Sequence, residues 1–435
     1  MKIKSLLAQE ILDSRGNPTL ECVTTLEDGS QGWAAIPSGA STGKYEAVEL
    51  RDSDLTRYQG KGVLKAVNNI NDKIQKAVIG TEAENQEKLD QIMIELDGTE
   101  NKANLGANAI LAVSLSAARA QAVCEKKPLY QYLTKFNPDH QGIFTMPIPE
   151  MNVINGGKHA NWATDIQEYM LFPVGASSIV EAIRMNAEVY SQLKKIIKQK
   201  GYATTIGDEG GFAPLAIANN EEPFQLMSEA IDKAHYQLGK DICFGIDPAA
   251  SEFFQENTGY YLLKKEGETM TSDQLANFFC NLAKKYPIIS MEDIFAQDDW
   301  EGFRKFTHND QGKTQIVGDD IYVTNEKRLM QGIKEKTTNS ILIKLNQIGT
   351  LTETVKTILL ARSHGMTTIV SHRSGETEDT FIADFAVAMG TGQIKTGAPA
   401  RGERIAKYNR LMRIERELAE KAVYAKFPFA IANNK

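Results

Sequence analysis

The chain has 435 residues, of which 42% are hydrophobic and 24% charged, with a net charge of −7. Those values exclude a disordered chain, and they exclude a broadly basic surface that binds nucleic acid by releasing counterions. A few local cations can still build a pocket for a small anion.

At roughly 100 to 200 residues per domain, the length predicts two or three domains, or one small domain and a barrel. The first residues, MKIKSLLAQEILDSRGNP, lack the apolar core of a secretory signal, and no apolar run approaches the roughly 20 residues needed to span a bilayer. A cytoplasmic protein with no membrane insertion is the expectation. Cys22, Cys124, Cys243 and Cys280 are scattered, with no C-x-x-C pair, and are expected to be reduced core thiols.

In the first third, Thr19 to Leu26 alternates like a half-buried strand, and the Asp28-Gly29 turn leads into Gln31 to Ile36, which predicts a hairpin. Asn104 to Val123 is Ala- and Leu-rich at helical spacing, so a buried helix is predicted there. The stretch from Lys127 to Pro149 holds four prolines and marks passage to a second domain.

A beat then appears. Short apolar runs end at Asp247, Glu292, Asp319, Lys344, Ser371 and Lys395, at gaps of 45, 27, 25, 27 and 24 residues. About 25 residues fit one strand, one helix and two loops, so at least five βα units follow one another. The fold class predicted is α/β, a (β/α)8-type barrel over residues 137–435 after a smaller N-terminal α+β domain over 1–136. An open doubly wound sheet is the alternative.

Barrels gather function at the carboxyl ends of their strands. Asp247, Glu292 and Asp319 would converge there as oxygen ligands for a hard cation such as Mg2+. Any one alone reads as a turn carboxylate; three at equivalent positions do not. Lys344 lies between Ile343 and Leu345 and should point into the mouth if they face the helices. Near metal ions and Lys395 it should lose its proton easily, as a candidate base. In Ser371 to Gly375, Arg373 beside Ser374 suits a phosphate, because a guanidinium fork binds two oxygens.

Ser38 to Lys44 resembles a Walker A loop, but only three residues separate Gly39 from Gly43, and Tyr45 follows the lysine. A mobile lid is the better reading. Gly207 to Gly211 sets Asp208 and Glu209 on what reads as a flexible turn, where one could act as an acid.

Together these stretches resemble the enolase family along essentially the whole chain: DSRGNP from Asp13, SGASTG from Ser38, GDEGGFAP from Gly207, MEDIFAQDDW from Met291, IKLNQIG from Ile343, VSHRSGE from Val370 and KTGAP from Lys395. The resemblance implies that a barrel with irregular first units interconverts 2-phosphoglycerate and phosphoenolpyruvate. It assigns one Mg2+ to Asp247, Glu292 and Asp319, and a second, substrate-dependent one to Ser41. It makes Lys344 the base, and Glu209, supported by Glu168, the aid to hydroxyl departure. Lys395 would hold the substrate carboxylate, Arg373 and Ser374 the phosphate. His159 would close over the substrate, with Gln167, His372, Asp320 and Ser41 lining the site. The residues alone favour structural roles for His159 and His372.

Two departures from the family pattern stand out. Ile294 replaces a usual proline, which predicts a less rigid loop, and the lid around Lys158, Asn161 and Trp162 differs from the common form. The resemblance also implies a homodimer or larger assembly, and a surface role in which the C-terminal Lys435 meets a receptor. An acid-sugar dehydratase and a binding protein on an inherited scaffold are the rival readings.

Overall fold

The computed structural model describes residues 1–40 and 43–431; Ser41 and Lys435 lie outside them. The N-terminal hairpin is present: strands Ile3–Leu12, Pro18–Leu26 and Gln31–Ala35 form an antiparallel sheet in that order. Pro18–Leu26 buries alternate residues, as a strand with one covered face must. The predicted helix covers that face, spanning Ala107–Cys124. It starts later than expected because Gly106, at φ +95°, breaks the helical path.

Residues 148 onward close into an eight-stranded barrel: Ile148–Asn155, Glu168–Phe172, Cys243–Asp247, Ile288–Glu292, Gln315–Gly318, Ser340–Ile343, Thr367–Ser371 and Gln393–Lys395. The predicted beat matches the last six. The long first gap is filled by a small three-stranded sheet, Phe254–Gln255, Tyr260–Leu263 and Glu268–Met270, ahead of helix Ser272–Lys285.

The second strand runs antiparallel to both neighbours, and the other pairings are parallel. Two helices, Ile179–Gln199 and Glu222–Lys233, follow it, so the barrel opens as ββαα before the regular units. Reversal has a functional consequence. The start of the second strand lies at the same rim as the ends of the others, and Glu168 pairs in register with Asp247.

Period-two alternation sorts the barrel walls. Ile341 and Ile343 belong to the main core between strands and helices, while Leu342 packs with Val317 and Ile369 in a separate small cluster. Below it lies a polar layer. Gln315 and Gln393 exchange side-chain hydrogen bonds of 2.7 and 2.8 Å, Gln315 Nε2 donates to Thr367 Oγ1 at 2.9 Å, and Gln393 Nε2 donates to Glu150 Oε1 at 3.0 Å.

The cysteines are all free, but only Cys22 and Cys243 are buried core thiols; Cys124 and Cys280 sit half-exposed on helix faces. His364 caps the C-terminus of helix Leu351–Ser363, as its position before Gly365 predicts.

Glu150 is 1% exposed, and burial pushes its carboxyl up to about 8, against which Lys395 and Gln393 work only partly. A raised acid pKa means that the folded state holds a proton the unfolded chain releases above about 4.5, so this group costs stability as pH rises through that window. Glu150→Gln, which mimics the protonated acid, is expected to stabilise the protein by roughly 3 kcal/mol at pH 7 and by almost nothing at pH 4.5. Urea unfolding at the two pH values measures the difference; equal effects at both would contradict it.

Candidate active site

The inner-facing residues at the rim form one closed cavity. His159, Gln167, Glu168, Glu209, Asp247, Asp319, Asp320, Lys344, His372, Arg373, Ser374 and Lys395 line a space of about 30 Å³, room for roughly one water molecule. A larger cavity of about 680 Å³ lies on the outer wall between helices Ser272–Lys285 and Trp300–Asp310. The rim cavity is the one lined by converging charged groups, so the chemistry is assigned there.

At its centre stands Lys395. Its Nζ lies 3.0 Å from each of Glu168 Oε2, Asp247 Oδ2 and Glu292 Oε1, and all four side chains are nearly water-free. Burial alone would strip the proton from this amine, but the three carboxylates hold its pKa well above the usual range. Lys344 Nζ pairs with Asp319 Oδ2, whose Oδ1 accepts a 2.8 Å bond from Gln347 Nε2.

Lys344 is expected to lose its proton easily beside metal ions and Lys395; in the protein alone its closest partner is Asp319. Burial acts to lower its pKa, yet Asp319 outweighs burial and raises it. Sequence spacing surrounds Lys344 with cations; its nearest neighbour in space is a carboxylate.

Glu168 and Glu209 share a cluster with His159, their oxygens and the ring nitrogen within 4.8 Å of one another. Their environments push them apart. Burial, then Glu209 and Asp247, raise Glu168 well above the usual range despite Lys395. Burial also works against ionised Glu209, but the basic side chains around it, His159 first and then His372, Lys395 and Arg404, carry it well below that range. These surroundings favour the protonated form of Glu168 and the ionised form of Glu209. Glu209 accepts bonds from Asn152 Nδ2 at 3.1 Å and Ser374 Oγ at 3.0 Å.

Nor is its turn flexible. Gly207 N donates to Gly211 O at 2.8 Å and Ala398 N to Glu209 O at 2.9 Å. Gly397, at φ +80°, lets the turn approach: an added Cβ would sit 2.6 Å from Glu209 O.

Arg373 is 4% exposed and uses its fork on Glu46, at 2.9 and 3.0 Å, with Asn346 Oδ1 at 2.8 Å. Glu46 comes from the N-terminal domain. The same loop is fastened by paired backbone bonds between Ser38 and Gly375, 2.7 and 2.9 Å, and by Tyr45 OH donating to Asp298 Oδ1 at 2.8 Å. His159 Nε2 lies 3.2 Å from Ser374 Oγ. Gln167 is buried beside Glu168, with its Oε1 lacking a hydrogen-bond partner.

The loop after Glu292 has other restraints than the missing proline. Ile294 is fully buried, and Asp293, at φ +42°, accepts backbone bonds from Asp319 and Asp320 at 2.8 and 2.9 Å. In the lid, Lys158 pairs with Glu252 at 3.2 Å, and Trp162 lies under Lys264.

Comparison with protein-family models identifies residues 3–133 as "Enolase, N-terminal domain" and residues 143–432 as "Enolase, C-terminal TIM barrel domain". The chain belongs to the enolase family. It is thus a lyase of the enolase superfamily, and the rim cavity is where that family chemistry must be read.

Enolase motifs pointed to the residues at the strand ends but missed those that hold them. Glu46, Asn152, Asp293, Gln347 and Arg404 each bond a rim residue or its loop. Only Asp293, adjacent to Glu292, and Gln347, three past Lys344, had a positional signal.

The carboxylates fit a hard cation. Asp247, Glu292 and Asp319 supply oxygen from three adjacent strands, and the buried Glu292 Oε2 has no hydrogen-bond partner. Asp293, Asp319 and Asp320 also bring oxygens within 4.8 Å of one another, and burial beside Asp319 pushes Asp320 up to about 8.

Removing the central amine tests the balance. Lys395→Met is expected to lose about 3 to 5 kcal/mol at pH 8 in chelator, because three buried carboxylates lose their partner. Glu168 and Glu292 already have raised pKa values, chiefly from burial, and would rise further. The folded variant then binds more protons than the unfolded chain, so its stability falls with rising pH and recovers toward pH 5. A deficit measured by urea unfolding that is the same at both pH values would contradict this account.

Proposed function

We propose that the protein is a magnesium-dependent enolase that reversibly dehydrates 2-phosphoglycerate to phosphoenolpyruvate. The observation that carries this reading is one cavity that brings together the amines of Lys344 and Lys395, the carboxyls of Glu168 and Glu209, and Arg373 beside Ser374. Loss of water from a β-hydroxy acid needs a base at the carbon beside the carboxylate and a proton donor at the departing hydroxyl. A phosphate ester on that carbon needs a bidentate cation.

Lys344 takes the proton from C2 as the neutral amine, so its ammonium must first lose a proton to solvent and part from Asp319. Glu209 and Glu168 serve the hydroxyl at C3: the pair holds the proton that leaves with it as water. Lys395 holds the carboxylate. Arg373 exchanges Glu46 for the phosphate, with Ser374 beside it, so substrate entry requires the Glu46 contact to open. His159, His372, Gln167 and Asp320 close the walls and exclude water. Asp247, Glu292 and Asp319 would hold Mg2+, which when bound supplies positive charge to stabilise the enolate dianion.

A homo-oligomer in the cytoplasm belongs to the same reading. It is supported by Leu7 and Leu12, large apolar side chains exposed on the edge strand Ile3–Leu12.

Ultraviolet absorbance with 2-phosphoglycerate follows the conjugated product: a rise that needs Mg2+ and stops with chelator is expected, and no rise in folded, metal-loaded protein would reject the reading. Lys344→Ala should abolish hydrogen exchange at C2. Glu209→Gln should retain exchange while slowing water loss on the order of 10²- to 10⁴-fold. Equal loss of both steps in both variants would contradict these roles.

A further inference from the structure

Arg404 is the largest fully buried side chain, yet it does not itself line the rim cavity. It lies in the first turn of helix Gly402–Leu418, and its guanidinium reaches back beneath two rim loops. Nη1 donates to Arg373 O at 2.6 Å and Nη2 to Ser374 O at 2.6 Å, so it holds the loop after the seventh strand. Nη2 also donates to Asp208 O at 2.9 Å, which ties in the turn that carries Glu209.

The remaining contact decides a proton position. Arg404 Nη1 lies 2.7 Å from His372 Nδ1. A guanidinium has only donors and keeps its proton in proteins, so Nδ1 must be the acceptor and carry no hydrogen. The neutral ring then bears its hydrogen on Nε2, which stands 3.7 Å from Glu209 Oε2. We propose that Arg404 is a positioning residue that locks His372 in the Nε2–H tautomer and so aims a fixed donor at Glu209.

The groups facing His372 agree with a neutral ring. Burial pushes it well below the usual histidine range; Glu209 opposes this, while Arg404, Lys395 and Lys344 reinforce it. The ring is also held through its backbone, since His372 N donates to Lys395 O at 2.9 Å. A lysine at 404 would keep the charge but could not reach His372, two carbonyls of its loop and Asp208 together. The catalytic meaning of the tautomer rests on the proposed dehydration, because it concerns which donor Glu209 meets; the tautomer itself does not.

The test uses full-length protein labelled with 15N-histidine, with the His372 signals assigned by their loss in His372→Gln. Long-range 1H–15N spectra are expected to show His372 wholly as the neutral Nε2–H form between pH 6 and 8. An Nδ1–H form, or an imidazolium titrating in that range, would overturn the proposal without any Arg404 variant having to fold.

In Arg404→Lys and Arg404→Met, the ring should become a tautomer mixture and kcat should fall on the order of 10- to 100-fold, with KM changing much less. Folded variants that keep the pure Nε2–H form would overturn it, and so would loss of KM alone. If wild-type protein shows the expected tautomer but no dehydration, the functional reading fails and the positioning role stands. Dehydration with the opposite tautomer would sink the positioning role and leave the functional reading intact.

Discussion

The four-way contact of Lys395 with Glu168, Asp247 and Glu292 is the constraint on which the rest of the rim depends. Three carboxylates brought together without water repel one another and forfeit hydration, and only a cation between them makes the cluster tolerable. The cluster also sets what each member can do. It keeps Lys395 charged, raises the proton affinity of Glu168, and leaves one Glu292 oxygen unpartnered for a further cation. Folding has therefore stored at the rim the electrostatics that a transition state rich in negative charge would use, and the hydrophobic walls of the barrel hold it in place.

The barrel makes that concentration possible by geometry. Inward positions recur every second residue, so Asp319, Lys344 and Lys395 each stand two residues beyond an inner neighbour, Val317, Leu342 and Gln393. The reversed second strand adds a carboxylate that a regular βα unit would have placed at the opposite rim. Without that reversal Glu168 and Asp247 would not be register partners, and Lys395 would lose one of its three ion-pair partners.

Much of this was legible. The six strand ends from Asp247 to Lys395 showed because apolar runs of strand length recur at a nearly constant interval, and a charged residue after each run has few places to go but the mouth. Strand direction was not legible from local pattern, since an antiparallel and a parallel buried strand carry the same apolar run; only the resemblance implied irregular early units. Arg404 and Glu46 were hidden for a different reason. Each lies in a charged stretch, ARGER and KYEAVELRD, that reads as a solvated surface, and only the long-range packing of helix and loop onto the rim buries them. The pairing of Lys344 with Asp319 was not legible either, because spacing reveals which groups converge and not which two come closest.

The contrast between Glu168 and Glu209 ties these threads together. Burial raises both carboxyls, so the difference between them comes from what else each one faces: Glu168 sees Glu209 and Asp247 across the strand register, whereas Glu209 sees two imidazoles, Lys395 and Arg404. If His372 is neutral, as its contact with Arg404 demands, its influence on Glu209 comes from an oriented N–H dipole in place of a full charge. The remaining pull then falls to Lys395, Arg404 and the direct bonds from Asn152 and Ser374. In the dehydration proposed above, that asymmetry would let one carboxyl give a proton to the departing hydroxyl and take it back in the reverse direction.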